Sequence, residues 1–403
     1  MGDLEYSPVT GRPAPMAGAP PYPAHCQVTL ANWQDAPYNR WAFQHVRELI
    51  PTARIARAAR ASELARLEQP LGEILLTLNG RQMSVEEHLA TSYTDGFLVL
   101  RDGQVVAEQY RNGLTAETPH LLMSVSKSVV GAVAGVLAGR GDLDVTSRVS
   151  EIVPELGETS FAEASVRDLL DMRAGTRFSE NYADPESDAK LCEEVYLWRP
   201  AGGALDVPDA LCYFATLSND GPHGGPFRYR SILTDVLAWV LERAAGERLA
   251  TLISREIWQP MGAEFDADIT VDGHGNALAD GGMSATLRDV ARFGQLFVPG
   301  AGGCVPSEWV ADTIGGAADG AAAFVAGDNL PGYPAGAHYR NCWWVREPAT
   351  PFFYANGIHG QHVFVDGRSR TVIVKLSSWP VAMSVRLFNQ TLAAARAIAD
   401  ALR

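Results

Sequence analysis

Two serines in the chain each stand three residues before a lysine, an arrangement that can supply a nucleophile and its base. The first pair is Ser124 and Lys127, and the second is Ser187 and Lys190. On a helix, residues three apart lie on one face, so the lysine amine can reach the serine hydroxyl. A hydroxyl becomes an effective nucleophile when a base takes its proton. Such a pair could therefore cleave an amide or an ester through an acyl-enzyme.

The surroundings distinguish the two pairs. Ser187 lies in a polar, acidic, proline-containing stretch, whereas Ser124 precedes an apolar run typical of a helix. Burial and the positive end of that helix should both favour a neutral amine, so we predict that Lys127 acts as the base. The helix start also offers the Ser124 backbone N–H to a developing oxyanion. Taken alone, Ser124 could instead be an ordinary helix N-cap and Lys127 a solvated helix residue.

Two further motifs follow along the chain. Tyr229 and Ser231 stand immediately before a second apolar helix, where the phenol can point into a cleft. Near the C-terminus, the segment 357–361 contains two glycines and introduces a strand. Glycines in such a place would let a substrate approach the backbone closely.

This order of Ser-x-x-Lys, Tyr-x-Ser and a glycine-containing strand resembles the serine β-lactamases, D,D-peptidases and related esterases. The chain is more closely similar to the 6-aminohexanoate-dimer hydrolases, the nylon-oligomer-degrading branch of the class C β-lactamase-like serine hydrolases. The similarity covers nearly the whole chain beyond a proline-rich N-terminal arm. It is carried by the segments 39–43, 93–95, 120–128, 182–185, 281–282, 288–292, 357–361 and 372–380.

The resemblance implies a role for each catalytic position. Ser124 would be the nucleophile, Lys127 its base, and Tyr229 the group that relays a proton to the leaving amine. Ser124 and Ile358 would supply the two backbone N–H groups of the oxyanion hole. Ser231 would support the network of Lys127 and Tyr229, a role compatible with a serine at a helix start.

The resemblance also implies contacts with the substrate. Tyr182 matches a tyrosine of the amide-hydrolysing branch that hydrogen-bonds the substrate and closes with a mobile loop. Glu193 matches a carboxylate that meets the substrate's ammonium end, and Asp280 stands where the dimer hydrolases have asparagine. Trp198 and Trp344 align with aromatic residues of the cleft wall. Without the resemblance, Tyr182 and Glu193 would be ordinary loop residues, and either tryptophan could equally pack in the core.

The segment before residue 358 departs from the penicillin-binding pattern. The family's Lys-Thr-Gly appears here as Ala355-Asn356-Gly357. A cation at the first position would hold the carboxylate of a penicillin, so its loss argues against β-lactam substrates. His359 could serve as a base only beside an orienting carboxylate, and we identify none in the sequence. We therefore predict a structural role for His359.

Composition excludes several classes of partner. A net charge of −14 over 403 residues provides no basic surface for nucleic acid or an anionic membrane. No apolar run approaches the roughly 18 residues of a membrane span, and the first residues lack the order of a secretion signal. Five widely spaced cysteines are typical of reduced thiols rather than of disulfides or a zinc site. We expect a cytoplasmic enzyme that acts on a small molecule without a metal or other cofactor, and related enzymes suggest a homodimer.

The periodicity predicts the elements that must position these residues. Prolines in 7–25 indicate an extended arm, and Asp102-Gly103 predicts the turn of a β-hairpin. The region 124–296 reads as mainly helical, with polar loops at 175–190 and 217–228. The other expected elements are short helices in 39–61 and 62–78, strands at 342–346, 361–365 and 371–376, and a helix over 383–402.

Strands at both ends of the chain with helices between them predict an α/β (α+β) fold of the serine β-lactamase and D,D-peptidase type. An antiparallel sheet flanked by helices would be built from 26–145 and 300–403, after an arm of 1–25. A mainly helical domain, 146–299, would be inserted between the sheet segments. The cleft between the two domains would hold the active site.

The leading hypothesis is hydrolysis of a short linear amide, such as a 6-aminohexanoate oligomer, through an acyl-enzyme on Ser124. The first alternative is a carboxylesterase for short-chain esters, because an ester leaving group needs less proton assistance. Loss of Tyr182 should then impair amide cleavage far more than ester cleavage. A binding or sensor protein that keeps only the pocket is a further alternative. A secreted β-lactamase or cell-wall peptidase fits less well, since the export signal and the strand lysine are missing.

Overall fold

The structure is a computed structural model that describes residues 15–16, 19–78, 80–203, 206–328 and 332–403. Most of the predicted N-terminal arm therefore lies outside the described residues. The strands are β1 Thr52–Ile55, β2 Leu75–Leu78, β3 Arg81–Ser84, β4 Thr94–Arg101, β5 Gln104–Tyr110, β6 His120–Leu121, β7 Ala267–Thr270, β8 Met283–Ala285, β9 His338–Arg340, β10 Trp343–Glu347, β11 Phe352–Gly357, β12 Gln361–Asp366 and β13 Thr371–Ser377.

The α-helices alternate with short connecting segments along the chain. They are α1 Asn39–Ala42, α2 Val85–Thr91, α3 Val125–Arg140, α4 Val149–Ile152, α5 Val166–Leu170, α6 Asp188–Val195, α7 Ala210–Thr216, α8 Ile232–Ala245, α9 Leu249–Ile253, α10 Leu287–Gln295, α11 Ser307–Gly315, α12 Gly320–Val325 and α13 Val385–Ala401. Within the described ranges, no helix is long and apolar enough to cross a bilayer.

A seven-stranded antiparallel sheet in the order β5-β4-β13-β12-β11-β10-β9 forms the centre of the molecule. Strand β4, from the N-terminal part, pairs with β13, from the C-terminal part, and Val99 lies opposite Ile373. Alternate residues face opposite sides of a strand. Val372 and Val374 accordingly pack in the large core with α3 and α10, whereas Ile373 packs in a smaller core under α2 and α13. The predicted antiparallel sheet flanked by helices is thus present.

The hairpin β4–β5 and the C-terminal strands lie where the sequence predicts them, but the prediction of helices in 39–61 and 62–78 is largely wrong. Only α1 is an α-helix there, while Thr52–Ile55 and Leu75–Leu78 are strands. Strand β1 pairs with the distant β7, which local periodicity cannot show.

The region 124–296 is also less helical than predicted. It contributes β7 and β8 to a four-stranded sheet in the order β1-β7-β8-β6. One continuous core joins residues of this region with the large sheet. The domain boundaries at 145/146 and 299/300 therefore stay a prediction.

Helix α3 crosses behind the large sheet and holds its N-terminus at the cleft. Two glycines on this helix allow close packing. A Cβ atom at Gly131 would lie 2.6 Å from the Asn341 carbonyl oxygen, and one at Gly135 would lie 2.6 Å from the Trp309 ring. Contacts this short do not occur for real side chains, so the helix lies where only glycine fits.

Candidate active site

Ser124 and Lys127 are in direct contact at the start of α3. The Lys127 amine donates to Ser124 Oγ at 2.9 Å and to the Asp280 carbonyl oxygen at 2.7 Å. Ser124 occupies the N-cap position of α3, but its side chain makes no capping hydrogen bond. Lys127 is 1% exposed, so it is not the solvated helix residue of the alternative interpretation. The spacing of the motif thus places the two groups as predicted.

The second Ser-x-x-Lys sequence has a different role. Ser187 is the N-cap of α6, and its Oγ accepts the backbone N–H of Lys190 at 3.4 Å. The Lys190 amine donates to both carboxylate oxygens of Glu193, each at 2.9 Å. This pair is therefore a helix cap followed by an ion pair, as its polar surroundings indicate.

The turn before Ser124 is held in a strained conformation. Met123 has a φ of +48°, in the left-handed region that non-glycine residues rarely adopt. Its carbonyl oxygen accepts from Ser126 Oγ at 2.7 Å, and Ser126 Oγ accepts the Met283 N–H at 3.2 Å. These hydrogen bonds tie the turn that leads into Ser124 to strand β8.

Gly357 lies against the same turn. A Cβ atom there would be 2.7 Å from the Leu122 carbonyl oxygen and 3.0 Å from Met123 Cβ. The expectation that this glycine makes room for a substrate is therefore wrong. The room is taken by the backbone that carries the nucleophile.

Tyr229 covers the amine of Lys127. The Lys127 Nζ lies 5.2 Å from the centre of the Tyr229 ring, and that ring stacks on Trp344 at 5.4 Å. Burial raises the pKa of the Tyr229 phenol, and the Lys127 charge and hydrogen-bonding interactions with Ser124 and Lys127 oppose that rise. The phenol is therefore protonated at neutral pH and in contact with both members of the Ser-x-x-Lys pair.

The buried acidic groups around Lys127 bear on the predicted neutral amine. Burial alone would lower the pKa of Lys127, but negative charge on Tyr229, Asp280, Glu180 and Asp235, when these groups are ionised, raises it above its usual range. Asp280 Oδ2 lies 3.8 Å from Nζ. The acidic neighbours favour the ammonium form of the resting amine, opposite to the neutral form that the sequence led us to expect.

The residues around Ser124 form a cleft. Its lining comprises Met123, Ser124, Phe178, Tyr182, Ala189, Cys192, Glu193, Trp198, Ser231, Leu278, Asp280, Gly281 and Ile358. The walls are apolar except for a few hydroxyl and carboxyl groups close to the nucleophile. Such a shape suits a narrow molecule with one polarised bond at the serine.

A β-lactamase family model matches residues 84–397, which include every residue of this cleft. The chain belongs to the β-lactamase family. The predicted serine β-lactamase-like fold is thereby confirmed.

Within the β-lactamase family, a 6-aminohexanoate-dimer hydrolase of Paenarthrobacter ureafaciens is 39% identical over 361 residues, 88% of this chain and 89% of that protein. A proposed 6-aminohexanoate-dimer hydrolase of Bacillus anthracis has a solved structure with a TM-score of 0.85, 26% identity, and coverage of 94% of this chain and 98% of that one. A family VIII carboxylesterase shares the fold, with a TM-score of 0.56 at 15% identity over 83% of this chain and 99% of that one. The predicted relationship to the dimer hydrolases is confirmed.

In this β-lactamase family member, most of the predicted substrate contacts line the cleft, and Trp344 does not. Trp344 packs behind Tyr229, within an aromatic group that includes Phe227 and Tyr339. Trp198 lines the cleft while its indole N–H donates to Thr270 Oγ1 at 2.9 Å. Trp344 therefore acts on the site through Tyr229.

Ser231 also differs from its predicted role. Its buried Oγ has no hydrogen-bond partner among the described residues, so it does not bond Lys127 or Tyr229. Instead, its backbone N–H donates to Glu180 Oε1. Glu180 interacts with Lys127 and Tyr229 through its charge rather than through a hydrogen bond to either side chain.

Two acidic residues of the site were missed by sequence reasoning. Burial raises the pKa of the partly buried Glu180, with the Lys127 charge opposing it, and its Oε2 accepts the Tyr182 hydroxyl at 2.5 Å. Burial and then the neighbouring Asp280 raise the pKa of Asp235. Asp235 Oδ1 accepts the N–H groups of Ala279 and Asp280 at 2.8 and 3.0 Å. In the sequence, Asp235 could have been noticed as a charged residue within the apolar helix α8. No comparable signal marked Glu180.

His359 has the structural role that the sequence predicts. Its Nδ1 lies 2.8 Å from the Trp379 carbonyl oxygen, and its ring packs edge-on against Phe43. Burial lowers the pKa of His359 to about 4, so the ring is neutral at physiological pH. It shapes the turn that follows Ile358 rather than taking part in proton transfer.

Proposed function

We propose that this protein is a serine hydrolase that cleaves a small linear amide of the 6-aminohexanoate-oligomer type through an acyl-enzyme on Ser124. The observation that carries the proposal is the 2.9 Å contact between the Lys127 amine and Ser124 Oγ, beneath Tyr229 and inside a cleft. The 39% identity to a 6-aminohexanoate-dimer hydrolase supports the choice of substrate class.

The charge of Lys127 determines how the proton moves. An ammonium ion cannot take the Ser124 proton, but it can orient Oγ and stabilise negative charge on Tyr229. As Oγ bonds to the carbonyl carbon, its proton passes to Tyr229 Oη and the phenol's own proton passes to the amide nitrogen. The carbon–nitrogen bond then breaks and the amine leaves. Water attacks the resulting ester, and its proton returns through Tyr229 to Ser124.

The oxyanion hole in this proposal is formed by the backbone N–H groups of Ser124 and Ile358, both of which line the cleft. Ser124 contributes the N–H at the positive end of α3. Removing one such donor in other hydrolases costs roughly 10²–10³-fold in rate, so these two amides would carry a large share of the catalysis.

The charges of the cleft favour a substrate with an ammonium group over one with a carboxylate. Asp280 and Glu193 line the cleft, and the β-lactam-binding lysine position is Ala355. The Glu193 carboxylate is held by Lys190, so an ammonium group there would compete with Lys190. Asp280 is the carboxylate nearest the reacting pair, 3.8 Å from the Lys127 amine.

The proton relay through Tyr229 would also serve an ester, whose leaving group needs less proton assistance. The homodimer and the cytoplasmic location stay predictions.

Mass spectrometry with a 6-aminohexanoate dimer tests the proposal. We expect the wild-type protein to release the monomer and to carry a transient acyl group on Ser124, and Ser124→Ala to do neither. Ser187→Ala is the matched control, because it alters the other Ser-x-x-Lys sequence, and it should still be acylated on Ser124. Release of monomer at the wild-type rate by Ser124→Ala would overturn the proposal.

A further inference from the structure

Glu180 and Tyr182 form a hydrogen-bonded pair on the loop before α6. The Tyr182 hydroxyl donates to Glu180 Oε2 at 2.5 Å, and the Ser231 backbone N–H donates to Glu180 Oε1. Because the Ser231 N–H is a donor, Glu180 Oε1 accepts its hydrogen bond whether the carboxyl group is ionised or protonated. The charge of Lys127 and these two hydrogen bonds oppose the effect of burial and favour the carboxylate form of Glu180, in which both oxygens accept and Tyr182 is the donor.

This polarity has a consequence for the cleft, because a phenol has a single proton. Tyr182 lines the cleft together with Ser124 and Ile358, and its proton is directed away to Glu180. What Tyr182 Oη presents to a bound substrate is therefore a lone pair. A lone pair attracts the N–H group of an amide, and it repels the leaving oxygen of an ester, which also carries lone pairs.

We propose that Glu180 is a positioning residue that holds Tyr182 as the hydrogen-bond acceptor for the N–H group of the scissile amide, and so makes the enzyme selective for amides over esters. The inference rests on the amide hydrolysis proposed above. Glu180 need not touch the substrate. It acts by setting the direction of one hydrogen bond at the cleft wall.

The substitution Glu180→Gln reverses that direction. The glutamine carbonyl oxygen must face the Ser231 N–H, so its NH2 group must face Tyr182 Oη and donate to it. The Tyr182 proton then turns toward the cleft, where it opposes an amide N–H and favours an ester oxygen. A buried amide N–H left without its acceptor costs about 1–3 kcal/mol, so the kcat/KM for an amide should fall roughly 10- to 100-fold.

The decisive measurement compares two substrates that differ only in the reacting atom. These are 6-aminohexanoyl p-nitroanilide, which has the N–H group, and p-nitrophenyl 6-aminohexanoate, which has oxygen there. The ratio of their kcat/KM values should fall in Glu180→Gln, with the ester rate kept or raised. Glu180→Asp is charged but one methylene shorter, cannot reach both partners, and should lower the ratio too.

The chain contains a matched control at a distance from the cleft. The Tyr110 hydroxyl donates to Glu108 Oε1 at 2.5 Å on β5, with the same spacing of two residues along the chain. Glu108 does not line the cleft. Glu108→Gln should leave the anilide-to-ester ratio unchanged, whatever it does to stability. Combining Glu180→Gln with Tyr182→Phe should cost the anilide rate no more than Tyr182→Phe alone.

The outcomes separate this inference from the proposed function. Equal losses of anilide and ester hydrolysis in Glu180→Gln, or additive losses in the double variant, would overturn the role of Glu180 while amide hydrolysis by the parent stands. A parent enzyme that cleaves the ester through Ser124 but never the anilide or the dimer would overturn the proposed amide function, and this inference with it.

Discussion

Lys375 Nζ lies 2.5 Å from Ser377 Oγ, two residues along the same buried strand β13. The amine also donates to the Ser92 carbonyl oxygen at 3.3 Å. Neither partner is charged, and Lys375 is 1% exposed. Burial lowers the pKa of Lys375 to about 7, so a charged amine inside the sheet is unfavourable.

This lowered pKa predicts a pH-dependent cost to stability. In the unfolded chain, Lys375 binds its proton with the ordinary pKa of about 10.5. The free energy of unfolding therefore rises with pH between about 7 and about 10.5, and below pH 7 the folded protein bears the whole cost of the buried charge. We expect Lys375→Met to raise the free energy of unfolding by about 3 kcal/mol more at pH 7 than at pH 9.5. Urea denaturation at the two pH values measures the difference. If Lys375→Met changed the free energy of unfolding by the same amount at both pH values, the prediction would be contradicted.

The ammonium form of Lys127 predicts the pH dependence of catalysis. A neutral lysine base would make acylation faster as pH rises through the pKa of the amine. Because the pKa of Lys127 is raised rather than lowered, we expect kcat/KM for the amide to show no such rise between pH 7 and 9. Stopped-flow acylation rates across that range test the expectation. A tenfold increase per pH unit would instead support the neutral base.

Asp235 is expected to position the catalytic amine through the backbone. Its Oδ1 accepts two N–H groups next to the Asp280 carbonyl oxygen, which in turn accepts Lys127. Asp235→Ala leaves both N–H groups buried without a partner and should cost about 2–4 kcal/mol of stability. We also expect roughly tenfold slower acylation in that variant. Asp235→Asn retains an acceptor oxygen and should keep most of the stability and most of the acylation rate. Equal effects of the two substitutions would refute this role.

Gly357→Ala should displace the nucleophile. The new methyl group would lie 2.7 Å from the Leu122 carbonyl oxygen, and the turn through Met123 would have to move. We expect a fall in kcat of roughly 10²-fold, since displacements of about 1 Å at reacting groups have effects of that size. Gly315→Ala in α11 is the control, because no atom lies within 4 Å of the added Cβ. Activity that survives in Gly357→Ala at the control's level would show that the turn tolerates the methyl group.

The sequence was informative where the signal is local. The hairpin β4–β5 followed from Asp102-Gly103 between apolar runs, and the contact of Ser124 with Lys127 followed from helical spacing. The resemblance to a known family supplied Tyr229, whose position beside the pair no spacing rule gives.

Other features depend on segments that meet only in the folded chain. Strand β1 forms because β7 is there to pair with it. The charge of Lys127 depends on Glu180, Asp235 and Asp280, which come from three separate segments, so helix position alone does not determine it. Trp344 and Ser231 illustrate the same limit, because an aligned position does not say which way a side chain points.

The order of the large sheet also bears on biosynthesis. Strand β4 pairs with β5 and β13, and the turn bearing Ile358 joins β11 to β12. During translation, the segment with the nucleophile leaves the ribosome long before the partners that complete its sheet and its oxyanion hole. The nascent chain should therefore remain catalytically silent until its last strand has emerged, and the buried faces of β4 should need protection from aggregation during that interval.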